Sequence, residues 1–149
     1  MSKVKTIIGR TEMVSFPELG IESIEAKIDT GAYSSAIHAP KIWIEKEQNQ
    51  EVLYFQLLNK NSTETSINIF KTKSFYQKKV RSSNGRLEKR YIIKTKLILG
   101  GKIRITHLSL TNREKMNFPV LIGRRVLSNR FLVDVSIPKV IQSKSNNKS

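Results

Sequence analysis

The chain has 149 residues, with 27 Lys and Arg against 12 Asp and Glu for a formal charge of +15, and it has no cysteine. The length fits one domain with a real core, and the missing cysteines exclude a disulfide framework and a thiolate zinc site. No apolar run reaches the roughly 18 residues of a membrane span, and Met1-Ser2-Lys3-Val4-Lys5 is not followed by a signal-peptide core, so a cytoplasmic protein away from the membrane is predicted.

Taken in order, the pattern is mostly β. Residues 5–8 and 13–16 read as short strands, and Pro17-Glu18-Leu19-Gly20 turns the chain into an alternating strand at 21–28. Residues 29–32 form the turn at its end. Ser34-Ser35-Ala36-Ile37-His38-Ala39 leads into another strand, and Pro40 blocks a helix there. Residues 41–45 and 52–58 look like a hairpin joined by a polar segment at 46–51. A polar loop at 59–66 precedes a strand at 67–70. Val80 and residues 91–99 flank Arg81-Ser82-Ser83-Asn84-Gly85-Arg86, where Asn84-Gly85 is a strong turn signal because both residues tolerate positive φ. Gly100-Gly101 turns the chain into a strand at 102–110. Residues 120–122 read as a short buried strand, 124–129 as the one helix and 131–135 as a last strand. The prediction is one compact all-β domain over 1–141, a closed barrel with one short C-terminal helix, followed by a disordered polar tail at 142–149.

The charge is uneven: between Lys71 and Arg104 there are twelve Lys and Arg residues and one acid, Glu88. Such a field attracts polyanions, whether nucleic acid or acidic peptide tails. The same residues alternate with apolar ones, as in Tyr91-Ile92-Ile93-Lys94-Thr95-Lys96-Leu97, which is also how the wet face of a sheet reads. Both readings stay open for Arg81, Arg90 and Arg113.

Ile28-Asp29-Thr30-Gly31-Ala32 puts one carboxylate in a tight turn at the end of an apolar strand. An aspartic peptidase needs such a carboxylate, held rigidly and with room for a second beside it. On the tripeptide alone an ordinary turn is the better explanation, since Asp and Gly gather in turns for steric reasons. About ninety residues downstream sits Phe118-Pro119-Val120-Leu121-Ile122-Gly123-Arg124-Arg125-Val126-Leu127, an apolar strand followed by glycine, arginine and a helical stretch.

In retropepsin-like aspartic peptidases an Asp-Thr-Gly-Ala turn packs beneath an apolar-apolar-Gly-Arg segment of this kind, and the order and spacing here resemble that arrangement. The Asn84-Gly85 hairpin falls where a retropepsin carries its flap. A closer match covers residues 8–138. Ala26-Lys27-Ile28-Asp29-Thr30-Gly31-Ala32, Ser34-Ser35-Ala36-Ile37-His38-Ala39, Arg81-Ser82-Ser83-Asn84-Gly85, Glu88-Lys89-Arg90, Leu110-Thr111-Asn112-Arg113 and Leu121-Ile122-Gly123-Arg124 are similar to the motifs of one bacterial and archaeal family. It goes by two names, ATP-dependent zinc protease and retropepsin-like aspartic endopeptidase. Many members are encoded beside ATP-grasp ligases that add glutamates to ribosomal protein tails. The resemblance implies a retropepsin-like barrel of six or seven strands. It also implies catalytic roles for Asp29, Thr30 and Gly31, and substrate contacts from Ala32, Ser83, Asn84, Gly85, Arg81 and Arg90.

The aspartic mechanism needs two carboxylates sharing a proton. One chain offers a single Asp-Thr-Gly, so a homodimer is expected, with Asp29 of each copy meeting across a two-fold axis. Asp134, the only other aspartate, lacks that context and reads as structural. Within the dimer Thr30 braces the turn through its hydroxyl and Gly31 lets the two turns approach. Arg124 ties the helix to the barrel or to a carboxylate at the subunit interface. The expected substrate is a peptide or an acidic, glutamate-bearing protein tail. The zinc name finds no support in the residues: His38 and His107 are the only histidines, and there is no His-Glu-x-x-His. No phosphate-cradling Gly-x-x-x-x-Gly-Lys loop supports ATP either. No metal or cofactor is therefore expected. The rival is a non-catalytic binding module whose basic stretch takes up RNA or acidic protein segments.

Overall fold

The computed structural model describes residues 4–59, 66–81, 84–113 and 115–140, so the expected contact at Ser83 and the expected tail at 142–149 lie outside the described residues. The strands are β1 (Thr6–Ile8), β2 (Thr11–Phe16), β3 (Ile21–Ile28), β4 (Ser35–His38), β5 (Lys41–Glu47), β6 (Gln50–Asn59), β7 (Ser66–Thr72), β8 (Tyr76–Arg81), β9 (Leu87–Leu99), β10 (Lys102–Thr111), β11 (Val120–Ile122) and β12 (Phe131–Val133). One helical turn, α1 (Arg124–Leu127), lies between β11 and β12. The all-β expectation with a single short helix holds. None of the described helices is long and apolar enough to cross a membrane.

The largest sheet runs β10-β4-β11-β3-β2-β9-β8, and β9 also pairs with β10. Six strands therefore form a circuit of neighbours, with β8 attached outside it. The circuit is thin at one seam: β2 meets β9 through a single registered pair, Ser15 opposite Ile98. Alternation explains the interior. On β2, Glu12, Val14 and Phe16 are buried while Thr11, Met13 and Ser15 between them are only partly so. Ile28, Ile37, Ile93, Leu97, Leu99, Leu108, Leu110, Val120 and Ile122 converge from the other strands into one core. At about 25 cal/mol per Å² of apolar surface removed from water, this convergence is the main force holding the circuit together.

β5, β6 and β7 form a separate antiparallel sheet, joined to the core through Leu53, Phe55 and Leu57. The sequence suggests a polar segment at 46–51 between its first two strands, but the strands run on to a two-residue turn. Gln48 and Asn49 take positive φ of 53° and 67°, the geometry whose twist matches that of a hairpin. β8 and β9 pair from Tyr76 opposite Ile92 out to Arg81 opposite Leu87. Most of β8 is exposed, so the hairpin stands away from the core.

The C-terminal strap folds back over the β1–β2 turn. Arg10 and Thr11 N–H groups donate to Ile137 O and Pro138 O at 2.8 and 3.0 Å. The fully buried Glu12 carboxylate accepts from Gly9 N–H at 2.7 Å and Val140 N–H at 2.9 Å. Glu12→Ala leaves these amides without their acceptor. The expected loss is about 2–4 kcal/mol, seen as a fall in thermal midpoint of roughly 5–15 °C. Glu22→Ala, at an exposed position, is the control. Equal melting of the two variants would rule out the clamp.

Candidate active site

β11 lies parallel beside β3, with Ile122 opposite Ile28. The pairing continues one residue into the turn, where Asp29 N–H donates to Ile122 O at 2.8 Å. Ala32 N–H then closes the turn on Asp29 O at 3.3 Å. The Asp29 carboxylate is half-buried, and its Oδ1 accepts from Gly31 N–H at 2.9 Å. One carboxylate oxygen is thereby fixed by its own turn. A Cβ at position 31 would sit 3.2 Å from that same oxygen, a contact tight enough to disturb it.

The segment after β11 holds the loop that follows Asp29. Gly123 N–H donates to the buried Ser35 Oγ at 3.0 Å. Arg124 N–H reaches Ala32 O at 2.8 Å, and Arg125 N–H reaches Tyr33 O at 3.0 Å. The Arg124 guanidinium donates from Nη1 to Thr30 O at 3.0 Å and lies 5.9 Å from the Tyr33 ring centre. Within the chain, then, Arg124 ties α1 to the Asp29 turn. Thr30 is exposed, and within the chain the turn is held through the Asp29 carboxylate and Arg124.

Beside this loop opens a cleft of about 310 Å³. Ala32, Tyr33, Ser34 and Ser35 form one wall, and Lys78, Val80 and Arg90 of the β8–β9 hairpin form another. The floor is a registered row across four strands: Leu121 opposite Ala36, Ala36 opposite Ser109, Ser109 opposite Ile92. These residues sit on the sheet face opposite the core residues Ile37, Ile93 and Leu108. Arg113 completes the lining, so among the described residues three cations and no carboxylate line the space.

Arg113 is held by its backbone and side chain. Its N–H donates to His38 Nδ1 at 2.8 Å and its Nε donates to Phe118 O at 3.3 Å. Burial lowers the Arg113 pKa from its ordinary value and the Arg90 charge lowers it further, while the Asp29 carboxylate opposes both.

Of the residues expected from sequence, Ala32 and Arg90 line the cleft. Arg81 does not: its Nη1 closes the hairpin tip on Gly85 O at 2.8 Å. Asn84 and Gly85 share that exposed tip. Lys78, Ile92 and Ser109 carry no motif, and only the strand register places them here. Asp134 has the structural role expected of it, its Oδ1 accepting from Ser136 N–H at 2.9 Å and Ser136 Oγ at 2.6 Å. A zinc site does not fit this donor set. His107 Nδ1 is paired with the Tyr76 hydroxyl at 2.8 Å, and the described residues hold no group of three or more His, Cys, Asp and Glu.

Comparison with known proteins agrees with this geometry. The chain matches the RimB-like family, described as retropepsin-like aspartic endopeptidase RimB, over residues 7–144. It is 39% identical over 136 residues to a Shewanella halifaxensis protein named "Probable alpha-L-glutamate ligase", covering 91% of this chain and 30% of that protein. A Desulfotalea psychrophila protein of the same name is 33% identical over 133 residues, 89% of this chain and 29% of its own length. The chain therefore spans less than a third of the length of these relatives. Among solved structures, Lpg0085 of Legionella pneumophila, a protein of unknown function, superposes with a TM-score of 0.70 at 26% identity, over 91% of this chain and 97% of that one. The chain belongs to the retropepsin-like aspartic endopeptidase RimB family.

Proposed function

We propose that this protein is an aspartic peptidase that works as a homodimer and cleaves acidic, glutamate-bearing peptides. The supporting observation is the Asp29 turn, locked onto Ile122-Gly123-Arg124 at the edge of a cleft lined by Lys78, Arg90 and Arg113 and, among the described residues, by no carboxylate. In this reading two Asp29 carboxylates, one from each copy, share a proton. Like charges at close range do not both ionise, so one acts as the base that activates water while the other protonates the scissile carbonyl oxygen. The exposed Thr30 and Gly31 give the second turn room to approach. Glutamate-rich substrates are also in keeping with relatives named as glutamate ligases, to a part of which this chain is similar.

The test is whether the active species is the dimer. Cleavage of a fluorogenic oligoglutamate peptide, followed across a dilution series, should track the dimer fraction measured by sedimentation at the same concentrations. Cleavage by a monomer would refute the shared-carboxylate site.

The exposed cations of the β8–β9 hairpin, Lys78, Lys79, Arg81, Arg86 and Lys89, support a second reading, a basic module that binds RNA or acidic protein without cutting it. That reading predicts affinity that falls steeply with salt, no cleavage, and no effect of altering Asp29.

A further inference from the structure

Two polar side-chain atoms that line or border the cleft are buried and have no hydrogen-bond partner among the described residues: Ser109 Oγ and Arg90 Nε. Ser109 is 6% exposed, in the middle of β10, and its neighbours across the ladders are Ala36 and Ile92. A buried hydroxyl without a partner is unfavourable, and so is a buried guanidinium N–H. Both residues line the same cleft. Among the described residues the Arg90 head makes one polar contact, Nη2 to Glu88 Oε2 at 3.4 Å, a long pair at a half-exposed carboxylate. The Nε donor is left over.

We propose that Ser109 and Arg90 form a carboxylate-binding subsite. A hydroxyl and a guanidinium N–H are both donors suited to a carboxylate oxygen, and charge-assisted bonds of this kind are short and strong. Lys78 and Arg113 line the same cleft and add positive field. The floor beside Ser109 is apolar, formed by Leu121, Ala36 and Ile92. It suits the methylene stem that carries a glutamate carboxylate, so the subsite reads the end of the side chain as well as its charge. The inference rests on the peptidase reading only for the peptide to which the carboxylate is attached. A C-terminal carboxylate offers the same chemistry, and the experiment separates the two sources.

Binding is measured by fluorescence anisotropy on the Asp29→Asn protein, so that cleavage does not interfere, with two labelled tetrapeptides. One is all-Glu with a C-terminal amide; the other is all-Gln with a free C-terminal carboxylate. The all-Glu peptide is expected to bind and the all-Gln peptide to bind at least about tenfold more weakly. The reverse order assigns the subsite to a chain terminus and overturns the side-chain form. Adding Arg90→Gln should weaken the preferred peptide by about tenfold and Ser109→Ala by about fivefold. Arg90→Lys keeps the charge but loses the Nε donor, and is expected to fall with Arg90→Gln. Lys46→Gln, an exposed charge on β5, is the control for net charge. Retained affinity in both Ser109→Ala and Arg90→Lys, or no binding of either peptide, overturns the subsite. Cleavage by the wild-type chain is scored separately. Peptide binding without cleavage removes the peptidase and keeps the subsite, whereas cleavage unaffected by these variants does the opposite.

Discussion

Asp29→Asn is expected to lower peptide cleavage by at least about 10³-fold while leaving the protein folded. Proton transfer by a positioned side chain contributes roughly 10²- to 10⁴-fold, and in a homodimer the substitution strikes both members of the pair at once. The fold is expected to survive because an amide oxygen at the Oδ1 position still accepts the Gly31 N–H that the carboxylate accepts now at 2.9 Å. The loss should appear in kcat, with peptide binding largely kept. Mixing gives a sharper readout. If subunits exchange freely, activity follows the square of the wild-type fraction, and an equal mixture keeps roughly a quarter of the activity. A linear fall to half would mean that each chain works alone. Undiminished cleavage by pure Asp29→Asn protein would remove the aspartic mechanism altogether.

How legible the site was depends on which of its residues carry local signals. Strand β3 ending at Ile28, the 29–32 turn and the short β11 read directly from alternation and turn chemistry, because a buried strand and a tight turn each constrain their own residues. The one helix was visible but overlong: a single turn closes at Leu127, where Ser128 leaves the helical region with φ −57° and ψ 135°. β8 was missed because five of its six residues are exposed, and a strand without a buried face leaves no alternation to read. Ser109 failed for a different reason. In Leu108-Ser109-Leu110 it reads as the wet position of an alternating strand, which is correct for the barrel alone. It shares a cleft with Ser34 and Ser35 of the loop and with Val80 and Arg90 of the hairpin, and that is a property of tertiary packing. The pairing of Arg113 with the Asp29 field is equally non-local, since 84 positions separate them in the chain. The turn and its glycine-arginine brace were therefore present as motif, and so were Ala32, Ser35, Arg90, Arg113 and Leu121 of the cleft. Lys78, Val80, Ile92 and Ser109, which complete the cleft lining, were not.

The glycine in that brace carries the second large prediction. A Cβ on Gly123 would lie 2.5 Å from Ser34 O, 2.7 Å from Tyr33 O and 2.8 Å from Ala32 O. All three are backbone atoms of the loop that follows Asp29, so no rotamer change relieves the clash. The backbone at 123 is extended, with φ −99°, so the requirement for glycine is one of space and not of conformation. Gly123→Ala must push the loop away from β11. That motion strains the Gly123 N–H bond to Ser35 Oγ and the Arg124 and Arg125 amide bonds to Ala32 O and Tyr33 O. Overpacking a well-packed site costs about 1–3 kcal/mol, and weakened bonds to buried groups add to it, for an expected total of about 3–5 kcal/mol. The thermal midpoint should fall by roughly 10 °C or more. The variant that remains folded at low temperature should also lose most of its cleavage, because the displaced loop carries Asp29 at one end and the cleft wall along its length. Gly20→Ala separates the two kinds of glycine: nothing lies within 4 Å of its Cβ, but φ is +68°, so it should lose about 1 kcal/mol of stability and keep its activity. If Gly123→Ala behaves like Gly20→Ala, the Ile122-Gly123-Arg124 segment does not hold the turn, and Asp29 is positioned by its own strand alone.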